Sequence, residues 1–158
     1  MDLILWRHAE AEALAPEAPF SDDNERQLTG KGRKQAAKMG LWLNSLLPQG
    51  CRILVSPSVR TRQTALALGR KFIIVDELNT DSNVKKMLNV YNWPHSREPV
   101  LIIGHQPHLG DIVSTLIPGM GSSCAIRKAN VWWISQKENS QDAAPFLKAV
   151  MTPELVLK

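Results

Sequence analysis

The chain has 158 residues, 44% of them hydrophobic, which is enough for one domain with a full core and argues against intrinsic disorder. The formal net charge of +4 accompanies no nucleic-acid-binding motif, so we predict no nucleic-acid partner. No apolar run is long enough to span a membrane and the two cysteines form no CxxC pattern, so we predict a cytoplasmic protein without membrane association. We predict a single domain over residues 1–158.

The first third of the chain predicts a strand, a loop and a helix. The apolar run over residues 3–6 is typical of a buried strand. Residues 9–28 are acidic and are interrupted by prolines, which favours a loop. Thr29 is placed to cap the helix predicted over 31–46. Apolar residues recur at helical spacing within that helix: Ala36, Met39, Trp42, Leu43 and Leu46.

The rest of the chain continues the alternation of strands and helices. Residues 53–55 predict a strand, after which Ser56 is expected to cap a helix and Pro57 to begin it, with the end near Leu68. The polar stretch 135–142 is expected to join the last two strands as a hairpin. The remaining predicted elements are a helix over 82–92, a helix that follows the turn at 104–107 and ends near 117, and strands over 72–75, 100–103, 131–134 and 146–151.

This order of elements predicts the fold class. Strands that alternate with helices imply a central, mostly parallel sheet with helices on both faces, which is a three-layer α/β/α architecture. The closing pair of strands is expected to run antiparallel and so to make the sheet mixed.

Polar side chains follow four of the predicted strands. They are Arg7 and His8 after the first, Arg60 after the second, Asp76 and Glu77 after the third, and His105 after the fourth. The carboxyl ends of parallel strands meet at one edge of an open sheet, where ligands bind. Two arginines and two histidines at that edge predict an anion pocket that contains a nucleophile or base. Arg60 also lies in the first turn of a predicted helix, where the helix dipole disfavours a cation unless an anion lies nearby.

Other catalytic motifs are missing or weak. The chain contains no GxxxxGK[ST] loop, no cysteine followed six positions later by arginine, and no GxSxG motif. His105, His108 and Asp111 carry metal-ligating groups, but their spacing suits a metal only loosely, so we predict no metal.

Four motifs follow one another in the sequence: LWRHAE at 5–10, LTxxGxxQA at 28–36, VSPSVRTRQT at 55–64 and IGHQP at 103–107. Together they resemble the landmarks of the histidine phosphatase superfamily, which has the phosphoglycerate mutase-like fold. Within that superfamily, the short chain, Ala9 in place of the usual glycine and the turn after Gly104 resemble the SixA group of phosphohistidine phosphatases.

The resemblance implies a phosphatase in which His8 is the nucleophile and forms a phosphohistidine intermediate, with Arg7, Arg60 and His105 as the phosphate pocket and no cofactor. The implied substrate is phosphohistidine on a signalling phosphotransfer protein, and small phosphomonoesters are the alternative. Glu77 stands where mutase-like relatives place a general acid, so it is either an acid, a substrate contact, a supporting residue or a surface residue. A phosphate-binding module without turnover and a metal-dependent hydrolase are two further alternatives.

Three expectations concern the surroundings of the pocket. The basic residues of the first predicted helix could rim the pocket and attract an acidic partner, although each also suits an exposed helix face. Those residues are Lys31, Arg33, Lys34 and Lys38. The acidic segment 9–28 either gates the site or is simply solvated. Ala9 adds a methyl group where glycine is usual, so the backbone there must accept alanine without strain.

Overall fold

A computed structural model of the chain describes residues 1–137 and 143–157. One sheet contains the strands β1 Asp2–Arg7, β2 Arg52–Val55, β3 Ile73–Ile74, β4 Val100–Gly104, β5 Val131–Ser135 and β6 Phe146–Met151. The helices are α1 Gly30–Leu46, α2 Val59–Leu66, α3 Val84–Tyr91 and α4 His108–Leu116, with 3-10 helices at Phe20–Glu25 and Asp76–Leu78. Within the described residues, no helix combines the length and the hydrophobicity that a membrane span requires.

The sheet is mixed and has the strand order β3-β2-β4-β1-β5-β6. The strands β1 to β4 pair in parallel, whereas β5 pairs antiparallel with both β1 and β6. Parallel neighbours need crossover connections, and here helices supply them and cover the sheet. The predicted three-layer α/β/α class is therefore confirmed. The last two strands pair as expected, while residues 138–142 of the predicted hairpin connection lie outside the described residues.

Alternate residues of β1 pack into two separate cores. Leu3 and Leu5 pack with residues of α3 and α4, whereas Ile4 and Trp6 pack with residues of α1 and α2. All four side chains are fully buried. A strand covered on both faces has no solvent-facing side, which is why its sequence is a continuous apolar run. Such a strand exposes functional groups only at and beyond its end, where the chain places Arg7 and His8.

The two predicted helix caps had different outcomes. Thr29 caps α1, as predicted, and its hydroxyl accepts a hydrogen bond from a backbone N–H of the first turn at 3.0 Å. The prediction that Ser56 caps the next helix is wrong, because α2 begins two residues later than expected and Ser58 is its cap. The Ser56 N–H still donates to the carbonyl of Ile103 in β4, so this residue continues the strand pairing.

Three other features differ from expectation, whereas the observed ends of α2 and α3 lie within two residues of the predicted ends. The strand predicted over 72–75 pairs over only two residues, because it lies at the sheet edge beside β2, which itself ends at Val55. Leu46, predicted on the apolar face of its helix, is 52% exposed because it is the last residue of α1 and extends beyond the core. The segment 9–28 contains a 3-10 helix rather than only a loop.

Candidate active site

Backbone hydrogen bonds extend the parallel sheet past the ends of its strands and bring three side chains together. The N–H of His8 donates to the carbonyl of Gly104 at 3.1 Å, and the N–H of Ser56 donates to the carbonyl of Ile103 at 3.1 Å. His8, Ser56 and His105 therefore lie side by side at the carboxyl edge of the sheet. The ring centroids of the two histidines are 5.4 Å apart.

His8 is held as a neutral imidazole with one free ring nitrogen. The residue is 5% exposed, and its Nδ1 lies 2.8 Å from the backbone oxygen of Ala9. A carbonyl only accepts hydrogen bonds, so Nδ1 carries the proton and Nε2 keeps its lone pair. Burial is the main cause that lowers the pKa of His8 to about 3, and the charges of Arg60 and Arg7 act in the same direction. An uncharged nitrogen nucleophile is therefore available at neutral pH.

His105 is also neutral, and both of its ring nitrogens have partners. Its Nδ1 accepts a hydrogen bond from Nη2 of Arg60 at 3.3 Å, which leaves the proton on Nε2, 2.7 Å from Oγ of Ser56. Burial, followed by the proximity of His8 and Arg60, lowers the pKa of His105 to about 2. A bound phosphoryl dianion would oppose this shift, because an opposite charge favours the protonated ring.

Arg60 is almost completely buried, at 2% exposure, and its guanidinium group is paired with Asp23. Its Nη1 donates to the backbone oxygen of Asp23 at 2.6 Å, and its Nη2 donates to Oδ2 of the same residue at 2.9 Å. A second cation, Arg26, donates from Nε to Oδ1 of Asp23 at 2.9 Å. The anion that the sequence led us to expect beside Arg60 is, in the free protein, this carboxylate.

Asp23 and Arg26 are the residues near the pocket that the sequence analysis missed. Asp23 and Arg26 are three residues apart, which suggests only a local ion pair within the acidic segment 9–28. Arg60, the other partner of Asp23, lies 37 residues away in the sequence. Because Asp23 engages both terminal nitrogens of Arg60, an incoming phosphoryl group must compete with this carboxylate. This part of the acidic segment therefore contacts the pocket instead of being merely solvated.

Arg7 supplies the second guanidinium group. Its Nη1 donates to the backbone oxygen of Ile126 at 2.8 Å. Its Nε and the Nε of Arg60 are both buried, and neither has a hydrogen-bond partner among the described residues. Leaving a buried donor unpaired costs about 1–3 kcal/mol, and more when the donor is charged. Two such donors beside His8 indicate a site built to receive an anion. We call His8, His105, Arg7 and Arg60 the histidine–arginine centre.

Ala9 fits its position without backbone strain. It is fully buried, and it is not among the residues that have a positive φ angle. Its N–H donates to Oγ1 of Thr64 at 3.1 Å, and that hydroxyl donates to the backbone oxygen of Arg60 at 2.8 Å. The turn after β1 is thereby connected to α2, so the two elements that carry His8 and Arg60 have a fixed relation.

Glu77 lies apart from the histidine–arginine centre. It is exposed in the 3-10 helix Asp76–Leu78 and makes no hydrogen bond or ion pair with any residue that the structure describes. Its role in catalysis stays a prediction. Over residues 1–137 and 143–157, no three side chains of the metal-ligating types His, Cys, Asp and Glu are grouped so that they could hold a metal ion.

The fold and the paired histidines agree with one class of protein. A model of the family described as histidine phosphatase superfamily (branch 1) matches residues 3–87, which is more than half of the chain. The chain therefore belongs to the histidine phosphatase superfamily, and it is a phosphatase.

Individual relatives narrow the similarity to one group. Phosphohistidine phosphatase SixA of Escherichia coli K12 is 30% identical over 128 residues, which cover 75% of this chain and 76% of that protein. The structure of a protein assigned as phosphohistidine phosphatase SixA from Nakamurella multipartitia has a TM-score of 0.77 at 25% identity and covers 96% of this chain and 95% of its own. The protein histidine phosphatase SixA complexed with tungstate shares the fold, with a TM-score of 0.75 at 23% identity over 97% of both chains. The predicted resemblance to SixA is confirmed.

Proposed function

We propose that this phosphatase removes the phosphoryl group from phosphohistidine on a phosphotransfer protein, through a covalent intermediate at His8 and without a metal. The observation that carries the proposal is the free Nε2 of His8, which is neutral and lies beside two guanidinium groups that each have an unpaired, buried Nε–H. The substrate class is supported by the relative from E. coli, whose name is phosphohistidine phosphatase.

In the first step, Nε2 of His8 forms a bond to phosphorus while the bond between phosphorus and the substrate's imidazole nitrogen breaks. The leaving imidazole takes the bonding electron pair and acquires a proton from water. The ring of His8 becomes positively charged when Nε2 is phosphorylated. Its Nδ1–H then donates to the carbonyl of Ala9 as a charge-assisted hydrogen bond, which stabilises the intermediate.

In the second step, water attacks the phosphorus of the intermediate from the opposite side. The bond between phosphorus and Nε2 breaks, and its electron pair returns to His8. The attacking water loses a proton and its oxygen becomes part of inorganic phosphate. The net reaction is hydrolysis of phosphohistidine to histidine and phosphate, and His8 returns to the neutral form with its proton on Nδ1.

The arginines and His105 act on the charge of the transferring group. Arg7 and Arg60 bind the phosphoryl oxygens and stabilise the negative charge that is spread over them during transfer. Buried cations suit this purpose, because electrostatic interactions are stronger where water is excluded. His105 completes the pocket, and the bound dianion raises its pKa, which favours donation from this ring to an oxygen.

The exposure of Glu77 bears on the choice between two kinds of substrate. The alkoxide of a phosphomonoester is a poor leaving group and gains much from a general acid, whereas imidazole leaves more readily. Glu77 has no contact with the histidine–arginine centre. This arrangement favours phosphohistidine. Hydrolysis of small phosphomonoesters is the alternative, and it would use Glu77 as an acid from its position after β3.

The proposal is tested by hydrolysis of a phosphohistidine-bearing phosphotransfer protein in the presence of EDTA. Wild type should release phosphate at the same rate with and without the chelator. His8→Ala should reduce the rate by at least about 10⁴-fold, because it removes the nucleophile. The matched control is His95→Ala, because His95 is an exposed histidine that precedes β4 and so lies near the opposite edge of the sheet.

A rapid acid-free quench should also trap a phosphoenzyme whose label is stable in base and labile in acid, as expected for phosphohistidine. Retention of activity in His8→Ala would overturn the assignment of the nucleophile. Turnover of p-nitrophenyl phosphate or a sugar phosphate, without turnover of the phosphoprotein, would establish the alternative substrate class. Loss of activity in EDTA that is restored by a metal would contradict the metal-independent mechanism.

The proposal includes the cellular setting predicted from the sequence. Phosphotransfer proteins act where signalling proteins are phosphorylated, so the proposal includes a cytoplasmic location. It also includes the absence of nucleic-acid and membrane partners. Localisation of a fluorescent fusion and pull-down of the phosphoprotein are the direct measurements.

A further inference from the structure

An open cleft of about 610 Å³ adjoins the histidine–arginine centre, and the two share Arg7. We call it the side cleft. It lies at the carboxyl edge of the sheet, where Asn130 precedes β5 and Thr152 follows β6. The Arg7 N–H donates to the backbone oxygen of Asn130 at 3.1 Å, so the wall of the side cleft continues directly from the strand that carries His8. A group bound at His8 would therefore have its neighbouring atoms within reach of this cleft.

The cations of the side cleft are freer than its carboxylates. Arg127 and Lys128 are exposed, and neither side chain makes a hydrogen bond or ion pair within the described residues. Glu10 is engaged by the hydroxyl of Thr29 at 2.9 Å and by Lys31 at 3.4 Å. The second carboxylate, on Glu154, has a pKa lowered first by a backbone hydrogen bond and then by one from a neighbouring hydroxyl. Arg127 also lowers the pKa of Glu154 and Lys128 that of Glu10, although neither cation forms a direct ion pair with these carboxylates. The lining has four basic residues against two acidic ones, so the cleft presents a net positive charge to a ligand.

Asn130 adds an independent indication of a ligand. The residue is only 7% exposed and lines the side cleft, yet its carboxamide has no hydrogen bond to any part of the chain that the structure describes. Its carboxamide is not among the fully buried unpaired groups, so its polar atoms are open to the cleft and available to a ligand. A carboxamide can donate to a carboxylate or pair with a peptide group, and both are available on a polypeptide.

We propose that the side cleft binds an acidic segment of the phosphoprotein, next to the phosphorylated histidine. The inference rests on the proposed function, and it specifies the partner as a chain with Asp or Glu close to the phosphohistidine. Carboxylates of that chain pair with Arg127 and Lys128, and its peptide groups or carboxylates meet Asn130. Lys31, which pairs with Glu10, is the basic residue of α1 that lines the cleft.

The character of the lining favours a polypeptide over a small molecule. Small-molecule pockets are mostly apolar and enclose their ligand, with a few polar groups that orient it. In the side cleft, by contrast, three of the four cationic side chains, Lys31, Arg127 and Lys128, are exposed around an open depression. Exposed charges of this kind steer macromolecular partners and give them specificity.

The test compares two peptides that carry phosphohistidine, one flanked by Glu residues and one flanked by Ser residues. For wild type at low salt, we expect kcat/KM to be about 5–20-fold higher for the acidic peptide, mainly through KM. The double substitution Arg127→Glu with Lys128→Glu should bring this ratio close to one. The matched control is Arg33→Glu with Lys34→Glu, which makes the same change in charge at exposed α1 residues outside the cleft lining and should preserve the ratio.

Two further measurements distinguish failure of the docking site from failure of the proposed function. Binding of the unphosphorylated acidic peptide, followed by fluorescence anisotropy, does not depend on turnover and should be lost in the Arg127→Glu, Lys128→Glu variant. If that binding is present but no phosphohistidine is hydrolysed, the proposed function fails while the docking site stands. Equal peptide binding by wild type and this variant, or a substrate preference that survives the double substitution, overturns the inference.

A small-ligand role has its own arm of the test. The chemically matched pair is 3-phosphoglycerate and glycerol 3-phosphate, which differ in a carboxylate. A preference for 3-phosphoglycerate that depends on Arg127 and Lys128, without a peptide preference, would assign the side cleft to small anionic substrates and overturn the polypeptide proposal.

Discussion

The histidine–arginine centre and the side cleft meet at Arg7, yet they hold their charges in opposite ways. His8, Arg60 and His105 are each at most 5% exposed, and Arg60 is tied to Asp23. In the side cleft, Arg127 and Lys128 are exposed, and neither side chain makes a hydrogen bond or ion pair within the described chain. Transfer chemistry gains from charges that are desolvated and already oriented, because no reorganisation is then needed during reaction. Recognition of a protein gains more from accessible charges, which act during approach.

Substitutions in the buried histidine–arginine centre should have the largest effect on activity. Arg60→Ala is expected to reduce kcat/KM by about 10²–10³-fold, because it removes a donor that is oriented toward the transferring group. Steady-state kinetics with phosphohistidine measures this loss. Arg62→Ala, an exposed arginine on the same helix, is the matched control and should change the rate less than two-fold. A similar loss in both variants would mean that α2 acts only through general charge.

The second prediction concerns the dependence of stability on pH, and it follows from the two buried histidines of the centre. Their pKa values are lowered to about 3 for His8 and about 2 for His105, so the unfolded chain binds more protons than the folded protein below pH 6.5. Stability is therefore fully present above that pH and is lost as pH falls. Between pH 7 and pH 5.5, the two histidines should lower the free energy of unfolding by about 2.5 kcal/mol in total.

Urea denaturation at the two pH values measures this change, and His8→Ala should show a smaller pH dependence than wild type. Saturating phosphate should also reduce the loss, since a bound dianion favours protonated histidines. An unchanged slope in His8→Ala would show that the ring is not held neutral in the folded protein.

The next prediction tests whether the carboxylate of Asp23 competes with phosphate for Arg60 of the histidine–arginine centre. Asp23→Asn should lower the inhibition constant for inorganic phosphate by about 5-fold, because a charged competitor for Arg60 is removed. Asp22→Asn, which changes the same charge on an exposed neighbour, is the control for long-range electrostatics. Weaker phosphate inhibition in Asp23→Asn would mean that Asp23 mainly positions Arg60.

The smallest effect is expected for a single carboxylate that lines the side cleft. Glu154→Gln removes a negative charge from the lining and should lower KM for the acidic phosphopeptide by about two-fold, with loss of the effect at high salt. Glu98→Gln, an exposed carboxylate in the segment before β4, is the control. An effect on kcat rather than KM would contradict the assignment of the side cleft to substrate recognition and of the histidine–arginine centre to chemistry.

Local patterns were sufficient to predict most elements and the grouping of the four site residues at one edge. Continuous apolar runs indicated strands covered on both faces, and Thr29 indicated the start of α1. The errors arose where tertiary contacts overrode a local preference. Ser56 has the residue type and position of a helix cap, but its backbone pairs with β4. Its hydroxyl oxygen accepts a hydrogen bond from Nε2 of His105. The contact between Asp23 and Arg60 had no sequence signature, because it joins distant segments.

The sequence by itself determined the order of strands and helices, and with it the arginines and histidines that follow the parallel strands. Those properties depend on hydrophobic periodicity and on the geometry of parallel sheets, which are local or topological. Only the tertiary structure decided the protonation of His8 and His105, the pairing of Arg60 with Asp23 and the side cleft beside Arg7. Burial and pairing arise from contacts between segments that are distant in the chain, and protonation follows from them.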